Sequence, residues 1–419
     1  MLAVAHILQA QTVREEIQQD RHCSAGNYMA YPQPSQQPLT PAPDGKRPFY
    51  IGHYGGHGSR YHNGPEMYDA PWAVMARADS LGKLTPLGSD VLRRLQLIRE
   101  DADERWGELT ARGAQQQREV MQRLVERFPE VFDGDTYVSA RSTSTTRCIL
   151  SMENALLQIS LLKPLLMHQN ATQRDMHYLN MQVKRLFSMR LDKESTACYE
   201  SFAKKHSCDE RLLQSLFNDT AYVSAAVDVP QFCRDIFRVA SNVQSSELRD
   251  QLTLYDIYTP DELYANWKRE NAWLYVNHGA FTMNGGQKPY MQRNLLRNMI
   301  EKCDSALTQK DPMVHLRFGD SEGVLPLAAL LDVNGYGVAT DNLEALDSLG
   351  WVDYRIAPMG ANIQLVLYRK DMTDADVLVK VLLNENESRL PIPTDVAPYY
   401  HWKDVRAYYL KKLEAYESK

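Results

Sequence analysis

The sequence predicts an α/β protein in which a doubly wound sheet forms the core and a mostly helical segment is inserted as a cap. Apolar, strand-like segments occur at 49–51, 136–140 and 313–318, and a glycine-rich loop follows the first of them. A polar, methionine-rich helical block separates the early strands from the late ones. The 419 residues are 44% apolar, which is ample material for a buried core.

The predicted domain organisation follows from this layout. We expect a signal remnant and N-terminal segment at 1–24, an α/β core formed by 25–163 and 256–419, and the helical cap at 164–255. The apolar stretch 2–11 is typical of the end of a secretory signal, which favours an extracytoplasmic location: periplasmic, secreted or outer-membrane associated. An ordinary N-terminal helical turn is the alternative.

The first half of the chain carries clear start and stop signals. Prolines crowd 28–48, so this lead-in is predicted to be extended rather than helical. Thr85 before Pro86 is typical of a helix N-cap, and Thr110 predicts a second helix that ends near 128–129. The strand at 136–140 leads into a helix predicted at 149–162.

The second half returns to strands after residue 310. The segments 354–357 and 363–368 are predicted to pair as a hairpin across 359–362. The stretch 402–416 is predicted to be a charged amphipathic helix.

Composition excludes several function classes. The net charge of −6 argues against nucleic acid as a partner, because nucleic-acid binders carry a basic field. No run approaches the roughly 20 apolar residues that a membrane span needs. The six cysteines form no CxxC pair, which argues against structural zinc. Cys198 and Cys208 could pair in an oxidising compartment, and buried free thiols are the alternative.

Ionisable residues follow each of the three predicted strands. Because the carboxyl ends of parallel strands meet at one edge of a sheet, we expect these side chains to converge. A histidine can act as nucleophile toward phosphorus, arginines can hold phosphate oxygens, and a carboxylic acid can donate a proton. The residues concerned are His57, Arg60, Arg141, Arg147, Asp320 and Glu322. A glycine-rich loop with a surface histidine and arginine is the alternative interpretation of the first group.

Together these segments resemble a known family. Gly56–Tyr61 resembles the Arg-His-Gly-x-Arg signature of the histidine acid phosphatases, and 318–322 with 325–327 resembles the His-Ala-Glu segment of the multiple inositol polyphosphate phosphatases. The segment 141–148 is similar to the middle arginine segment of that family. The lead-in 30–43 and the turn 359–362 look like those of Bacteroidetes members, so the resemblance, to branch 2 of the superfamily, covers about 25–370.

The resemblance implies a phosphoglycerate-mutase-like fold and a phytase-like phosphomonoesterase that uses a phosphorylated small-molecule substrate. His57 would become phosphohistidine, Arg60 and Arg147 would hold the equatorial phosphate oxygens, and Glu322 would protonate the leaving alcohol. No cofactor or metal is expected, since the arginines supply the positive charge. Further phosphate contacts are expected from Arg141, which is alternatively a structural arginine paired with a carboxylate, and from Asn362. Arg317 is expected to support the site from behind.

Two departures from the family pattern lie inside the motifs. Gly56 stands where the family has arginine, and Asp320 stands where it has histidine. Losing one well-aimed donor typically costs about 2.7–4 kcal/mol of transition-state stabilisation. The sequence therefore leaves three hypotheses open: a weak or inactive relative that binds phosphorylated ligands, an enzyme in which Asp320 or Glu322 is the acid, or a cationic residue of the cap that compensates.

Overall fold

A computed structural model describes residues 11–35, 37–43, 45–181, 192–207 and 209–418. The strands in these ranges are β1 (Arg47–Gly56), β2 (Tyr137–Ser142), β3 (Met167–Asn170), β4 (Ala280–Phe281), β5 (Met313–Gly319), β6 (Ala339–Thr340), β7 (Asn362–Arg369), β8 (Leu378–Leu383), β9 (Asn386–Ser388) and β10 (Tyr399–His401). Most of the predicted signal segment and Cys208 lie outside the described residues.

The helices fall into three groups along the chain. Before the cap they are α1 (Val13–Gln19), α2 (Glu66–Ser80), α3 (Pro86–Ala102), α4 (Ala111–Arg127) and α5 (Thr146–Leu162). Within 164–255 they are α6 (Met176–Leu179), α7 (Lys193–Lys205), α8 (Asp209–Leu216), α9 (Thr220–Ala226) and α10 (Val229–Asn242). After it come α11 (Pro260–His278), α12 (Arg293–Leu307), α13 (Val324–Leu331), α14 (Asp353–Ile356) and α15 (Trp402–Glu417).

The main sheet of the described residues has the order β10-β8-β7-β1-β5-β2-β3, and β9 pairs with β8. The four strands β1, β5, β2 and β3 run parallel, whereas β7, β8 and β10 join antiparallel on the other side. The predicted α/β class is therefore confirmed. Because β1, β5 and β2 are parallel neighbours, the loops after all three leave the sheet at the same edge.

Side-chain alternation along the strands divides the sheet into two packed faces. On one face Ile51, Val138 and Leu316 pack with α4 and α5. On the other face Tyr50 and Tyr54 pack with α12 and α13. The even-numbered residues of β5 thus belong to the first face, which leaves its odd-numbered polar residues on the second.

The two threonine caps predicted from the sequence are present. The Thr85 hydroxyl accepts a hydrogen bond from the Gly88 amide at 3.0 Å, and the Thr110 hydroxyl accepts one from the Gly113 amide at 3.1 Å. The second cap fixes where α4 begins, beside the loop that follows β1.

The regular elements in the described part of 164–255 are helices, except for β3, which pairs with β2 in the main sheet. Helices α8 and α10 share an apolar cluster with α2 and α3. The inserted helices therefore pack on the helices that follow β1. None of the helices in the described ranges is both long and apolar enough to cross a membrane.

The predicted hairpin at 354–368 is wrong in its first half. Residues 353–356 form α14, and β7 pairs instead with β1 and β8. The buried Asp353 carboxylate accepts hydrogen bonds from Trp267 Nε1 at 2.8 Å and from the Asn27 amide at 3.0 Å. This tertiary network holds a short helix where the tyrosine and isoleucine suggested a strand.

Candidate active site

A pocket of about 190 Å³ lies where β1 and β5 end and α5 begins. Its charged and titratable lining residues come from four separate parts of the chain. They are His57, Arg60, Arg147, His278, Asp320 and Glu322. The structure therefore brings together five of the seven site residues expected from the sequence.

The His57 ring is buried and held in one orientation. Its Nδ1 lies 2.9 Å from the carbonyl oxygen of Gly58, and since a carbonyl only accepts, Nδ1 carries the proton. The lone pair is then on Nε2. Burial and the charges of Arg60 and Arg147 hold the pKa of His57 well below its usual range, so the imidazole stays neutral and able to attack an electrophile.

The backbone around His57 is fixed from both sides. Its amide donates to the Gly319 carbonyl at 3.0 Å, and its carbonyl accepts from the Gly360 amide at 2.9 Å. A Cβ on Gly56 would lie 2.5 Å from Ser321 Cα, and a Cβ on Gly58 would lie 2.3 Å from the Gly113 carbonyl oxygen. Glycine is needed at both positions because neighbouring backbone comes too close for a side chain.

Arg60 is buried beside the ring of Tyr28. One terminal nitrogen donates to the Tyr61 carbonyl at 2.9 Å, and the other lies 3.5 Å from the Tyr28 hydroxyl. Burial opposes its charge, but the interactions with Tyr28 and Glu322 outweigh that penalty, so the pKa of Arg60 is above its ordinary value. Its Nε has no hydrogen-bond partner among the described residues.

Arg147 lies in the first turn of α5, next to the N-terminus of that helix in the sequence. Burial and the neighbouring Arg60 charge hold the pKa of Arg147 below its ordinary value. Two adjacent cations and a helix N-terminus form a site that favours an anion, because a negative charge there offsets the positive charges.

The carboxylates lie in the short 3-10 turn between β5 and α13. Asp320 Oδ1 is 3.7 Å from a terminal nitrogen of Arg147. Burial within the pocket, reinforced by Glu322, raises the pKa of Asp320 despite the attraction of Arg147. A carboxyl group with a raised pKa is the kind that can donate a proton.

Glu322 contacts a histidine that sequence reasoning missed. His278 Nε2 lies 3.6 Å from Glu322 Oε2, while His278 Nδ1 donates to the Leu274 carbonyl at 3.1 Å. His278 is the last residue of α11, and it is fully buried. No sequence motif marks His278, because it is simply the final residue of a helix, and it lies 221 positions from His57 along the chain.

Arg141 lies outside this pocket. It is in register with Arg317 on β5 and lines a different cavity, where its Nε is 3.7 Å from Asp175. Asp175 is the kind of carboxylate neighbour that the alternative interpretation requires, in which Arg141 is a structural arginine. The reason for its position is strand alternation, which directs Arg141 and Ser142 to opposite faces of β2.

Asn362 also lies outside this pocket. Its backbone is paired with Gly55 at the end of β1, but its side chain donates to the Tyr31 hydroxyl at 3.1 Å and accepts from Gln364 at 2.9 Å. The first contact joins β7 to the lead-in segment, and the second lies within β7. Among the described residues, no group of three or more histidine, cysteine, aspartate and glutamate side chains is arranged to hold a metal ion.

Comparisons with known proteins give matches only among solved structures. No protein-family model matches the chain, and no curated protein sequence matches significantly. The multiple inositol polyphosphate phosphatase of Bifidobacterium longum in complex with phosphate superposes with a TM-score of 0.77 at 16% identity, over 93% of this chain and 98% of that chain. Its complex with inositol hexasulfate gives 0.76 at 16%, over 92% and 97%.

The phytase from D. castellii gives a TM-score of 0.71 at 13% identity, over 98% of this chain and 88% of that chain. At such low identity these likenesses show the fold alone, which this chain shares with the inositol polyphosphate phosphatase and phytase structures. The predicted fold class is confirmed on this second ground.

Proposed function

We propose that this protein hydrolyses phosphomonoesters, of the inositol polyphosphate or phytate type, through a phosphohistidine on His57. The observation that carries the proposal is the fixed tautomer of His57. Its Nδ1 proton is engaged by Gly58, so the Nε2 lone pair is free in a pocket that also contains Arg60 and Arg147.

In the first step Nε2 of His57 attacks phosphorus and a nitrogen–phosphorus bond forms. The ester oxygen–phosphorus bond breaks, its electron pair stays on the leaving oxygen, and the Glu322 carboxyl supplies the proton. Arg60 and Arg147 stabilise the charge on the equatorial oxygens, the largest contribution in reactions of this type. In the second step Glu322 takes a proton from water, the water oxygen bonds to phosphorus, and the nitrogen–phosphorus bond breaks to release phosphate.

We propose that His278 positions Glu322. With Nδ1 donating to the Leu274 carbonyl, the opposite side of the His278 ring faces the Glu322 carboxyl, with Nε2 3.6 Å from Oε2. Such a contact with a fully buried ring restricts the orientation of the Glu322 carboxyl. Asp320, whose pKa is raised, is the alternative acid.

Membership of branch 2 of the histidine acid phosphatase superfamily is part of this proposal. The motif resemblance supports it, and so does the fold shared with structures that contain phosphate and inositol hexasulfate. The substrate class rests on the same support.

A second candidate function is binding of phosphorylated ligands without turnover. One contact favours it: Asp320 lies beside Arg147, where a carboxylate competes with phosphate for the guanidinium. This candidate predicts calorimetric binding of inositol hexakisphosphate with no release of phosphate.

The test is phosphate release from inositol hexakisphosphate and from p-nitrophenyl phosphate. We expect turnover by the wild type and loss of it in His57→Ala. The matched control is His22→Ala, since His22 is exposed, contacts Asp20 and does not line the pocket. Equal phosphate release by wild type and His57→Ala would overturn the enzymatic proposal, and binding without release would favour the second candidate.

We also propose that the protein acts outside the cytoplasm. The support is the apolar N-terminal segment of the sequence. Fractionation of cells that express the full chain tests it: recovery of the protein with the cytoplasmic fraction alone would contradict the proposal.

A further inference from the structure

A second cavity, of about 590 Å³, lies on the opposite face of β5 from α5 and shares no lining residue with the His57 pocket. Strands β2 and β5 form its floor, and α6 and α12 border it. Arg141 and Arg317, which the sequence analysis named as candidate site residues, both line this cavity. The proposed hydrolysis uses neither of them.

Arg317 is a buried cation whose hydrogen-bond acceptors among the described residues are all neutral groups. It is 2% exposed, and its Nε donates to Asn298 Oδ1 at 2.9 Å. Its other contacts are carbonyl oxygens of β1 and β5 at 3.4–3.5 Å. Among the described residues no carboxylate lies within ion-pair distance of it, and a buried charge without a counter-ion is costly.

The cavity as a whole has an excess of positive charge. Four cationic side chains line it, against the single carboxylate of Asp175. Asp175 lies 3.7 Å from Arg141, so it offsets only part of that charge. Lys302 and Arg174 form no ion pair within the described ranges. Positive charges gathered in a concave, partly buried site raise the local concentration of anions.

A second buried group in the lining is unsatisfied. His315 is 8% exposed, and its Nδ1 has no hydrogen-bond partner within the described part of the chain. Burial and the nearby Arg317 lower the pKa of His315 to about 3, so the ring is neutral and can still donate through one nitrogen. A bound oxyanion can satisfy such a donor and the Arg317 charge together.

We propose that this cavity is a second, non-hydrolytic binding site for an oxyanion of the phosphate class, held by Arg317, Arg141 and Lys302. The guanidinium groups supply paired donors and the lysine supplies a mobile charge. Inorganic phosphate and a phosphate group of a polyphosphorylated compound share this chemistry. The role proposed for this cavity is binding alone.

The experiment is calorimetric titration of the full chain. Inorganic phosphate is titrated into the wild type, and inositol hexakisphosphate into His57→Ala, which prevents turnover. For the anion that this cavity accepts, we expect two independent classes of site: the His57 pocket and this cavity. The double variant Arg141→Gln with Lys302→Met should weaken only the second class, by about tenfold or more, since each hydrogen bond to a charged group contributes appreciably.

The matched control is Lys411→Met, an exposed lysine of α15 that lines neither cavity. Arg317→Gln is a second variant, and its fold is checked by circular dichroism. A single class of site for both anions, or two classes that persist in the double variant, would overturn the proposal. Response to inorganic phosphate identifies the free anion as ligand, whereas response to inositol hexakisphosphate alone identifies the polyphosphorylated compound. Both readouts are binding, so failure of the hydrolysis proposal would leave them interpretable.

Discussion

His278 Nε2 lies 3.6 Å from Glu322 Oε2, although the two residues belong to α11 and to the turn after β5. The contact joins a fully buried imidazole to a carboxylate that opens into the pocket with 36% of its side chain exposed. It therefore connects the helical segment that follows the cap to the acid of the proposed reaction.

Glu322→Gln should lower hydrolysis of alkyl phosphates by about 10²–10⁴-fold, the usual contribution of a general acid. Hydrolysis of p-nitrophenyl phosphate should fall much less, because p-nitrophenolate leaves without prior protonation. Steady-state kinetics on both substrates measures the difference. An equal loss on both would mean that Glu322 supports the pocket structure rather than the leaving group.

His278→Gln should also lower hydrolysis of alkyl phosphates more than that of p-nitrophenyl phosphate. The loss of kcat should be smaller than in Glu322→Gln. The physical reason is that His278 acts through Glu322, so the double variant should be no slower than Glu322→Gln alone. The pH dependence of kcat is the second readout, and its descending limb should move in His278→Gln. Additive losses in the double variant would contradict a positioning role.

Asp320→Asn should tighten inhibition by inorganic phosphate at neutral pH, by roughly tenfold. The ionised carboxylate repels phosphate and competes for Arg147, which lies 3.7 Å away. Because burial raises the pKa of Asp320, the difference between variant and wild type should shrink as pH falls and the carboxyl becomes protonated. Inhibition constants across pH, with the exposed Asp404→Asn as control, test this.

Gly56 should not accept a side chain. A Cβ there meets Ser321 Cα at 2.5 Å, so Gly56→Ala should lower the free energy of unfolding by about 1–3 kcal/mol, typical of overpacking. Restoring the family arginine at this position should cost activity rather than add to it. Chemical denaturation measures the effect, with Gly134→Asn as control, since a Cβ at Gly134 meets nothing within 4 Å and asparagine is one of the few residues that tolerate the positive φ of 72° at this position. Unchanged stability in Gly56→Ala would mean that the turn after β5 can move.

Acid should destabilise the fold through its buried histidines. Burial, with nearby Arg317 and Arg60 respectively, lowers the pKa of His53 and His62 from 6.5 to about 3. The unfolded chain therefore takes up these protons first, and stability present above pH 6.5 is lost progressively as pH falls toward 3. Each histidine contributes a slope of about 1.4 kcal/mol per pH unit.

His53→Asn should make that decline shallower. His401→Asn should make it steeper, because the hydrogen bonds that His401 donates to Asp395 and Asp376 raise the pKa of His401, which adds stability at low pH that is lost as pH rises through the folded pKa. Denaturant titrations between pH 4 and 7 test both signs, and an unchanged slope in His53→Asn would mean that its ring is protonated in the fold.

The sequence by itself determined the elements whose signals are local. Thr85 and Thr110 mark helix starts because each hydroxyl satisfies an amide of its own first turn. The strands that end before His57 and Asp320 were recognisable as short apolar runs followed by glycine and ionisable residues. Parallel pairing then required those ends to share an edge, which predicted that His57, Arg60, Arg147 and Glu322 would lie close together.

Only the tertiary structure decided which other residues join them. His278 reaches Glu322 because α11 ends at the pocket, and Arg141 leaves it because its side chain lies on the other face of β2. The need for glycine at position 56 was also hidden, since it arises from the backbone of Ser321, which is 265 positions away in the printed sequence. Contacts between distant segments depend on packing and strand register, and neither is encoded in a local pattern of residues.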